Sequence, residues 1–404
     1  MKKNSLILLC FLAVAHWAYS QDFAEELQYR RSSIYSILIN HTEQKKYAAE
    51  VRQRFLDIPV DDKYNDHNLS VRVVGVDKKY SEKEMDLFCN EFVEKNHIAS
   101  RLVAKWFMRD HLTGGCSMEL IKKRGVYNAS EFDKEVAQRN IRGLSMLQDA
   151  GEDLIGNTYV LINEVRYIDK GEQAKVAGAI LNILVSVAGA AVGVDTKDTG
   201  KNLQEVIESI KGFRVKITTR LYRLDWNDTV ANIFYSQYYS ANRNDAKRDA
   251  FNRDRDLFKL KYIGKVTSSG SKTSFLGISE EEPLLMIRKA IQRAIDENVV
   301  DLQKNYPQFR TRTPILDVEP RLTAAIGMKD GVSADKKYEV LEAIERNGKT
   351  EYRRVGIVKA VDEAIWDNRF MAVDEGAENA SLGYTAFEII SGKGFYPGML
   401  LKEM

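Results

Sequence analysis

FRVKITTRLYRLDW, residues 213–226, is the stretch on which the fold class turns. Val215, Ile217, Thr219 and Leu221 alternate with Arg214, Lys216, Thr218 and Arg220. That period of two is a β-strand with one apolar and one wet face. Upstream, NTYVLINEVRYI (157–168) reads as a second strand, and downstream IFYSQYY (233–239) reads as a partner strand. LSVRVVGV (69–76) is a further strand. Helical patterns run between them. Phe23–Leu56 sets Ile34, Ile37, Leu38, Tyr47, Val51 and Phe55 at helical spacings. Ser81 and Glu84 form a capping box that opens a helix carrying Met85, Phe88, Phe92, Ala99, Leu102, Val103 and Trp106 on one face. Ser130–Leu147 is another helix, opened by Ser130-x-x-Asp133. Residues 241–261 mix seven Lys/Arg with four Asp and read as a solvated excursion. Ser279–Tyr306 closes this part as a helix with Leu284, Ile287, Ile291, Ile295, Val299 and Leu302 along it.

Three of the six prolines, Pro307, Pro314 and Pro320, then fall close together. Proline removes a backbone donor and pushes its predecessor out of helix, so a domain boundary is expected there. Beyond it, KYEVLEAI (337–344) and YRRVGIVKAV (352–361) flank Asn347-Gly348, the pair that a two-residue type I′ hairpin favours. Phe387–Ile390, then Gly392, Gly394 and Pro397-Gly398, read as a late strand and turns. Several short strands with glycine-rich turns predict a small barrel or sandwich. The expected class is therefore α+β: a mixed α/β domain over residues 21–313 and a small all-β domain over 314–404.

Composition sets outer bounds. The chain has 404 residues and is 44% hydrophobic, enough apolar material for packed cores and against a disordered chain. Residues 1–20 have the form of a secretory signal peptide: Lys2-Lys3, the apolar run Leu6–Val14, then Ala18-Tyr19-Ser20. Cys10 lies inside the apolar run, not after it, which argues against lipidation. Removing Lys2 and Lys3 takes away the whole formal excess of +2. A neutral mature chain gives no sign of a nucleic-acid surface.

The order of strands and helices resembles the periplasmic domain of the curli secretion channel family. The residues that carry the likeness are MELIKKRGVYNASEFDKEVAQRN (118–140), GEDLIGNTYVLINEV (151–165) and VKITTRLYRLDWND (215–228). The resemblance implies a strand near Ser117–Ile121, an anticodon-binding-like sheet with helices, and scaffolding at the outer membrane. IGMKDGVSADKKYEVLE, VGIVKAV and FYPGMLL in the last part are similar to the SH3-like barrel that ends periplasmic assembly factors such as flagellar-assembly protein T. Neither likeness implies catalysis. One departure matters. Channel members carry amphipathic β-hairpins as inserts, whereas residues 174–194 here read AKVAGAILNILVSVAGAAVGV. Val176–Val194 is 19 residues without a charge, close to the ~20 that a membrane helix needs. Three readings stand: a buried helix or helical hairpin, a membrane-contacting or oligomer-forming helix, and a glycine-rich loop. The contact residues of the second are Val176, Ile180, Leu181, Leu184, Val187, Gly189 and Gly193, the last two in G-x-x-x-G spacing.

Catalytic motifs are weak. Ala343-x-x-x-x-Gly348-Lys349-Thr350 matches a relaxed phosphate loop, but its glycine falls in a hairpin turn and not before a helix. Ser269-x-x-Lys272 and Ser333-x-x-Lys336 match a Ser/Lys nucleophile spacing with no shielded base. Cys89, His97, His111 and Cys116 could supply two thiolates and two imidazoles, at a spacing foreign to compact zinc motifs. A disulfide between Cys89 and Cys116, or two unpaired thiols, are the other readings. Asp61, Asp62, Asp66 and His67 form a polar loop, either solvated or cation-binding.

No catalytic, cofactor or metal residue is therefore assigned, and neither nucleotide nor nucleic acid is expected as a partner. The leading expectation is an exported, non-enzymatic scaffold or assembly protein of the periplasm or the periplasmic face of the outer membrane. Its expected partners are other copies of itself and outer-membrane proteins or lipid. The alternative is an exported glycan- or lipid-binding module or hydrolase, with Phe234, Tyr235, Tyr238 and Tyr239 as a stacking surface.

Overall fold

The computed structural model describes residues 32–42, 48–61, 63–128, 154–169, 211–274, 283–310, 312–346 and 349–404. Residues 1–20, read as a leader, 130–147, read as a helix, Asp62, Asn347-Gly348 and the whole of 174–194, with the seven contact residues expected there, lie outside these. The fold class is α+β: a mixed sheet with helices on both faces, and a closed barrel of six antiparallel strands at the C-terminal end.

The hub of the sheet is β1, Ser32–His41. On one edge it pairs in parallel with β2 (Tyr64–Asp66) and then β3 (Val73–Val76). On the other it pairs in parallel with β4 (Thr158–Asp169). Then β5 (Lys211–Leu224) and β6 (Leu260–Ser274) follow antiparallel. Part of the helix expected over Phe23–Leu56 is thus a strand, and the helix itself, α1, is confined to Ala48–Leu56 among the described residues. The reason is burial on both faces. Tyr35, Ile37 and Ile39 pack one way, Ile34 and Leu38 the other. Such a strand shows no alternation, and its apolar run also fits a helical period.

Two helices cover the first face, α2 (Glu82–Lys95) and α3 (Ile98–Trp106). The Ser81/Glu84 capping box is present at the start of α2. The single helix expected through Trp106 is broken at His97, whose φ of 48° is left-handed. Met85, Cys89, Val93, Ile98 and Leu102 seal this face against Val160, Ile162 and Tyr222. The second face is covered by α1 and a long helix late in the chain, Pro283–Asn305. With α4 (Glu119–Asn128), α5 (Asp228–Ile233) and α6 (Asp245–Arg253) coming earlier in the chain, this long helix is α7. A polar thread fixes its register: Asn298 Nδ2 donates to Thr219 Oγ1 at 2.8 Å, and Thr219 Oγ1 to Asn163 Oδ1 at 2.8 Å.

Several local expectations fail for identifiable reasons. The wet face of β5 is mostly dry: Lys216 is exposed, but Thr218, Arg220 and Tyr222 are buried. Ser117–Ile121 is not a strand, because α4 starts at Glu119. IFYSQYY is helical: Asn227 caps α5, which runs into a π-helical turn over Phe234–Tyr238. Its aromatic rings gather around Phe107, with centroids at 4.2 Å from Phe234 and 5.7 Å from Tyr235. Tertiary packing overrides the strand preference of aromatic residues. The charged stretch 241–261 contains α6, with Phe251 buried in the same cluster, and the start of β6.

The barrel runs β10-β11-β8-β7-β12-β9, from β7 (Thr313–Asp317), β8 (Leu322–Ala324), β9 (Lys337–Arg346), β10 (Lys349–Ala360), β11 (Thr385–Gly392) and β12 (Leu400–Glu403). Arg346 stands opposite Lys349, the register that a two-residue link requires. Ile315, Val340, Val358, Phe387 and Leu401 are among its core residues. Gly331, at φ 78°, lies against α7. A Cβ there would stand 2.6 Å from Val300 Cγ1, so the approach of barrel to helix needs glycine.

Candidate functional site

Ion pairs tie the barrel to the α/β body. Lys63 pairs with Asp330, and Lys329 Nζ with Asp61 Oδ2 at 3.2 Å. Across the seam, Glu375 takes Lys289 Nζ at 2.8 Å and Arg293 Nη2 at 2.5 Å. Lys289 is almost wholly buried, and an ammonium in that position requires a fixed anion. Burial pushes the Glu375 carboxyl up, but the hydrogen bonds from Lys289 and Arg293 outweigh it and hold the group down at about 2.

Between these ties lies a cleft of about 630 Å³. One wall is apolar: Pro314, Leu316, Trp366, Phe370, Met371 and Val373. Met371 has a left-handed φ of 63°, and Val373 stands 69% exposed at the opening. The polar wall holds Asp61, Lys63, Lys329, Asp330, Asp367 and Arg369. Each is engaged. Besides the pairs across the seam, Asp330 accepts from Gly327 N at 2.8 Å and Asn368 Nδ2 at 2.9 Å, and Asp367 takes Arg369 at 2.6 Å. Burial alone would raise the Asp61 carboxyl; the neighbouring Lys329 and Lys63 outweigh it and lower it. Neither histidine, cysteine nor serine is among the described residues that line the cleft.

Behind Asp61 and Lys329 a smaller cavity of about 50 Å³ is lined by Asp296 of α7. Asp296 Oδ2 is sealed from solvent and has no hydrogen-bond partner among the described residues. Burial pushes this carboxyl up to about 7; Lys329 pulls it down, and Asp61 and Asp330 push it further up.

The candidates from sequence do not converge. Cys89 and Cys116 are free and buried in different clusters, which leaves no disulfide between them. His97 Nδ1 lies 3.2 Å from Asp256, and His111 is exposed. His67 faces inward: Arg124 Nη1 donates to its Nδ1 at 2.8 Å, so Nε2 carries the proton and donates to Leu102 O at 3.1 Å. Of the polar loop, Asp61 is bound to Lys329 and His67 to Arg124 and Leu102, while Asp62 lies outside the described residues. No group of three or more metal-binding side chains occurs among the described residues. Ser269 and Lys272 lie on β6, and Ser333 Oγ turns to Asp335 while Lys336 pairs with Glu403. Ala343, Lys349 and Thr350 lie on the strands of the β9–β10 hairpin. Phe234 and Tyr238 are buried, not a stacking surface. The cleft itself has no spacing signature, because its walls come from the loop after α1, from β7, and from the β8–β9 and β10–β11 links.

No protein-family model matches the chain, and no curated protein matches it. No helix among the described residues is long and apolar enough to cross a membrane.

Proposed function

We propose that this is an exported, non-enzymatic assembly or scaffold protein of the periplasm or the periplasmic face of the outer membrane. Its α/β body would be the anticodon-binding-like domain of curli-secretion-channel relatives, its barrel SH3-like, and its cleft the place where a partner surface is held. One observation carries this reading: a cleft of about 630 Å³ at a domain seam whose charged wall, apart from the exposed Asp374, is already internally paired. Clefts of this size between domains are where proteins commonly bind ligands. Paired charges position a ligand without being free to move protons, and an apolar wall beside them suits an amphipathic segment. Residues 174–194 supply self-association or lipid contact in this reading.

The test is light scattering and membrane co-fractionation of the mature chain, beside a variant lacking 174–194 and a Val373→Asp variant. Self-association or membrane retention is expected for the wild type. It should be lost on the deletion, with the barrel still folded, and Val373→Asp should weaken partner capture. A strictly monomeric, wholly soluble wild type would overturn the proposal.

Asp296 favours the second reading, an exported glycan- or lipid-binding module or hydrolase, in its hydrolase form. A carboxyl poised near neutral pH next to a cavity is what general acid–base work uses. Hydrolysis of a glycan or ester probe that disappears in Asp296→Asn would install it in place of the first.

A further inference from the structure

A further cavity, of about 230 Å³ and sharing no lining residue with the cleft, is lined by Ser32, Asn157, Arg223, Arg310, Arg312 and Lys402, together with Pro307 and Gln308. It brings together three guanidiniums and an ammonium, and no carboxylate lines it among the described residues. In a chain whose formal charge is only +2, that concentration of one sign is local.

Two of these cations, Arg223 and Arg310, are fixed by groups that do not neutralise them. Arg223 Nε donates to Gly156 O at 2.6 Å and Nη2 to Asn157 Oδ1 at 3.3 Å. Arg310 donates from Nε to Gln303 O and from Nη2 to Lys304 O, each at 3.0 Å, which ties it to the last turn of α7. Neither arginine has a carboxylate within ion-pair distance among the described residues. The Arg312 guanidinium lies 4.1 Å from the Tyr352 ring centre. Lys402 reaches Glu339 at 3.5 Å, and Glu339 is shared with Arg354.

We infer that this cavity binds one phosphate group, taken from a phosphate ion or from the headgroup of a phosphate-bearing molecule. Planar guanidiniums held by their neighbours offer paired N–H donors of the kind that oxyanions accept bidentately. The charge selects phosphate over a carboxylate: a phosphomonoester carries about −1.5 to −2 at neutral pH. The volume sets the size, since about 230 Å³ falls below the ~300 Å³ at which pockets begin to hold drug-sized ligands. A compact anionic group fits, with the rest of its molecule outside.

The experiment is calorimetric titration of the full chain with inorganic phosphate at low ionic strength and pH 7.5, with sodium chloride at matched ionic strength as control. Saturable phosphate binding is expected, with none for chloride. Arg223→Gln should weaken it roughly tenfold, as expected for loss of one charge-assisted hydrogen bond. Lys402→Gln, on a partly exposed strand position, should weaken it severalfold without risk to folding. If phosphate acts no differently from chloride, or if Lys402→Gln and a folded Arg223→Gln bind phosphate like the wild type, the site does not exist. Vesicles containing phosphatidic acid, whose headgroup is a phosphomonoester, against phosphatidylcholine, then identify the source. Retention that free phosphate reverses assigns a lipid headgroup, and phosphate binding without retention assigns a soluble phosphate.

Discussion

Arg220 donates from Nη1 to Glu164 Oε2 at 3.1 Å, and the Arg220 side chain is wholly shut off from solvent. Its Nε reaches Asp86 of α2 at 2.7 Å, and Glu164 also meets His41 at 3.1 Å and Arg166 at 2.8 Å. The ions are packed between sheet and helix, where breaking a pair leaves an uncompensated charge. Arg220→Met should therefore cost roughly 3–5 kcal/mol in urea unfolding. A loss under about 1 kcal/mol, the worth of a surface pair, would mean that water reaches Glu164. Burial pushes the Glu164 carboxyl up, but His41, Arg166 and Arg220 hold it down at about 2. A lowered carboxyl stabilises the fold above its unfolded value of about 4.3, and that contribution fades as pH falls toward 2.

Asp296 works with the opposite sign. The native state keeps its proton up to about pH 7, whereas the unfolded chain releases it near ~3.9. Stability should fall as pH rises between those values and then level off. Asp296→Asn removes the effect and should stabilise by roughly 1–3 kcal/mol, more at pH 8 than at pH 4. Urea unfolding at both pH values checks this, and an equal gain at the two would contradict it.

Glu375 is the tie between barrel and α7. Glu375→Gln leaves the buried Lys289 ammonium without its anion and should cost roughly 1–3 kcal/mol. Hydrogen exchange is the sharper measurement: amides around Phe370–Gly376 should exchange faster while the barrel strands keep their protection. Because Glu375 is held at about 2, acid should loosen the same seam only as pH falls below the ordinary carboxylate range. Unchanged exchange at the seam would show that the apolar contacts alone hold it.

Burial raises the Cys89 thiol to about 12, with Arg220 pulling down and Glu164 pushing up. The thiolate is the reactive form, so native Cys89 should resist iodoacetamide at pH 8 and react fully in denaturant. Rapid native labelling at Cys89 would place it outside the core assigned to it.

The sequence made some of this legible. The β4 and β5 strands, the capping box of α2, the long α7 and the hairpin of the barrel follow from period, caps and turn residues alone. Elements buried on both sides were harder. The period of β1 fits a helix because neither face is wet, and β5 hides Arg220 on the face that polar residues announce as solvent. IFYSQYY has the composition of a strand, and only its packing around Phe107 turns it into helix. Sites fared worst. Asp61, Asp296 and Lys329 are far apart in sequence, as are Arg223, Arg310 and Lys402, so no motif spacing could join them.

The place of β1 has a consequence for how the chain comes to be folded. Ser33 pairs with Thr158 and Asn40 with Val165, so the hub of the sheet waits for a strand made much later. Until β4 arrives, one edge of an apolar ribbon is open, the kind of edge that templates aggregation. Such non-local pairing makes for slow folding. A chain emerging end-first would stay unfolded long enough to be threaded or chaperoned, and truncations ending before β4 should precipitate instead of yielding a small stable domain.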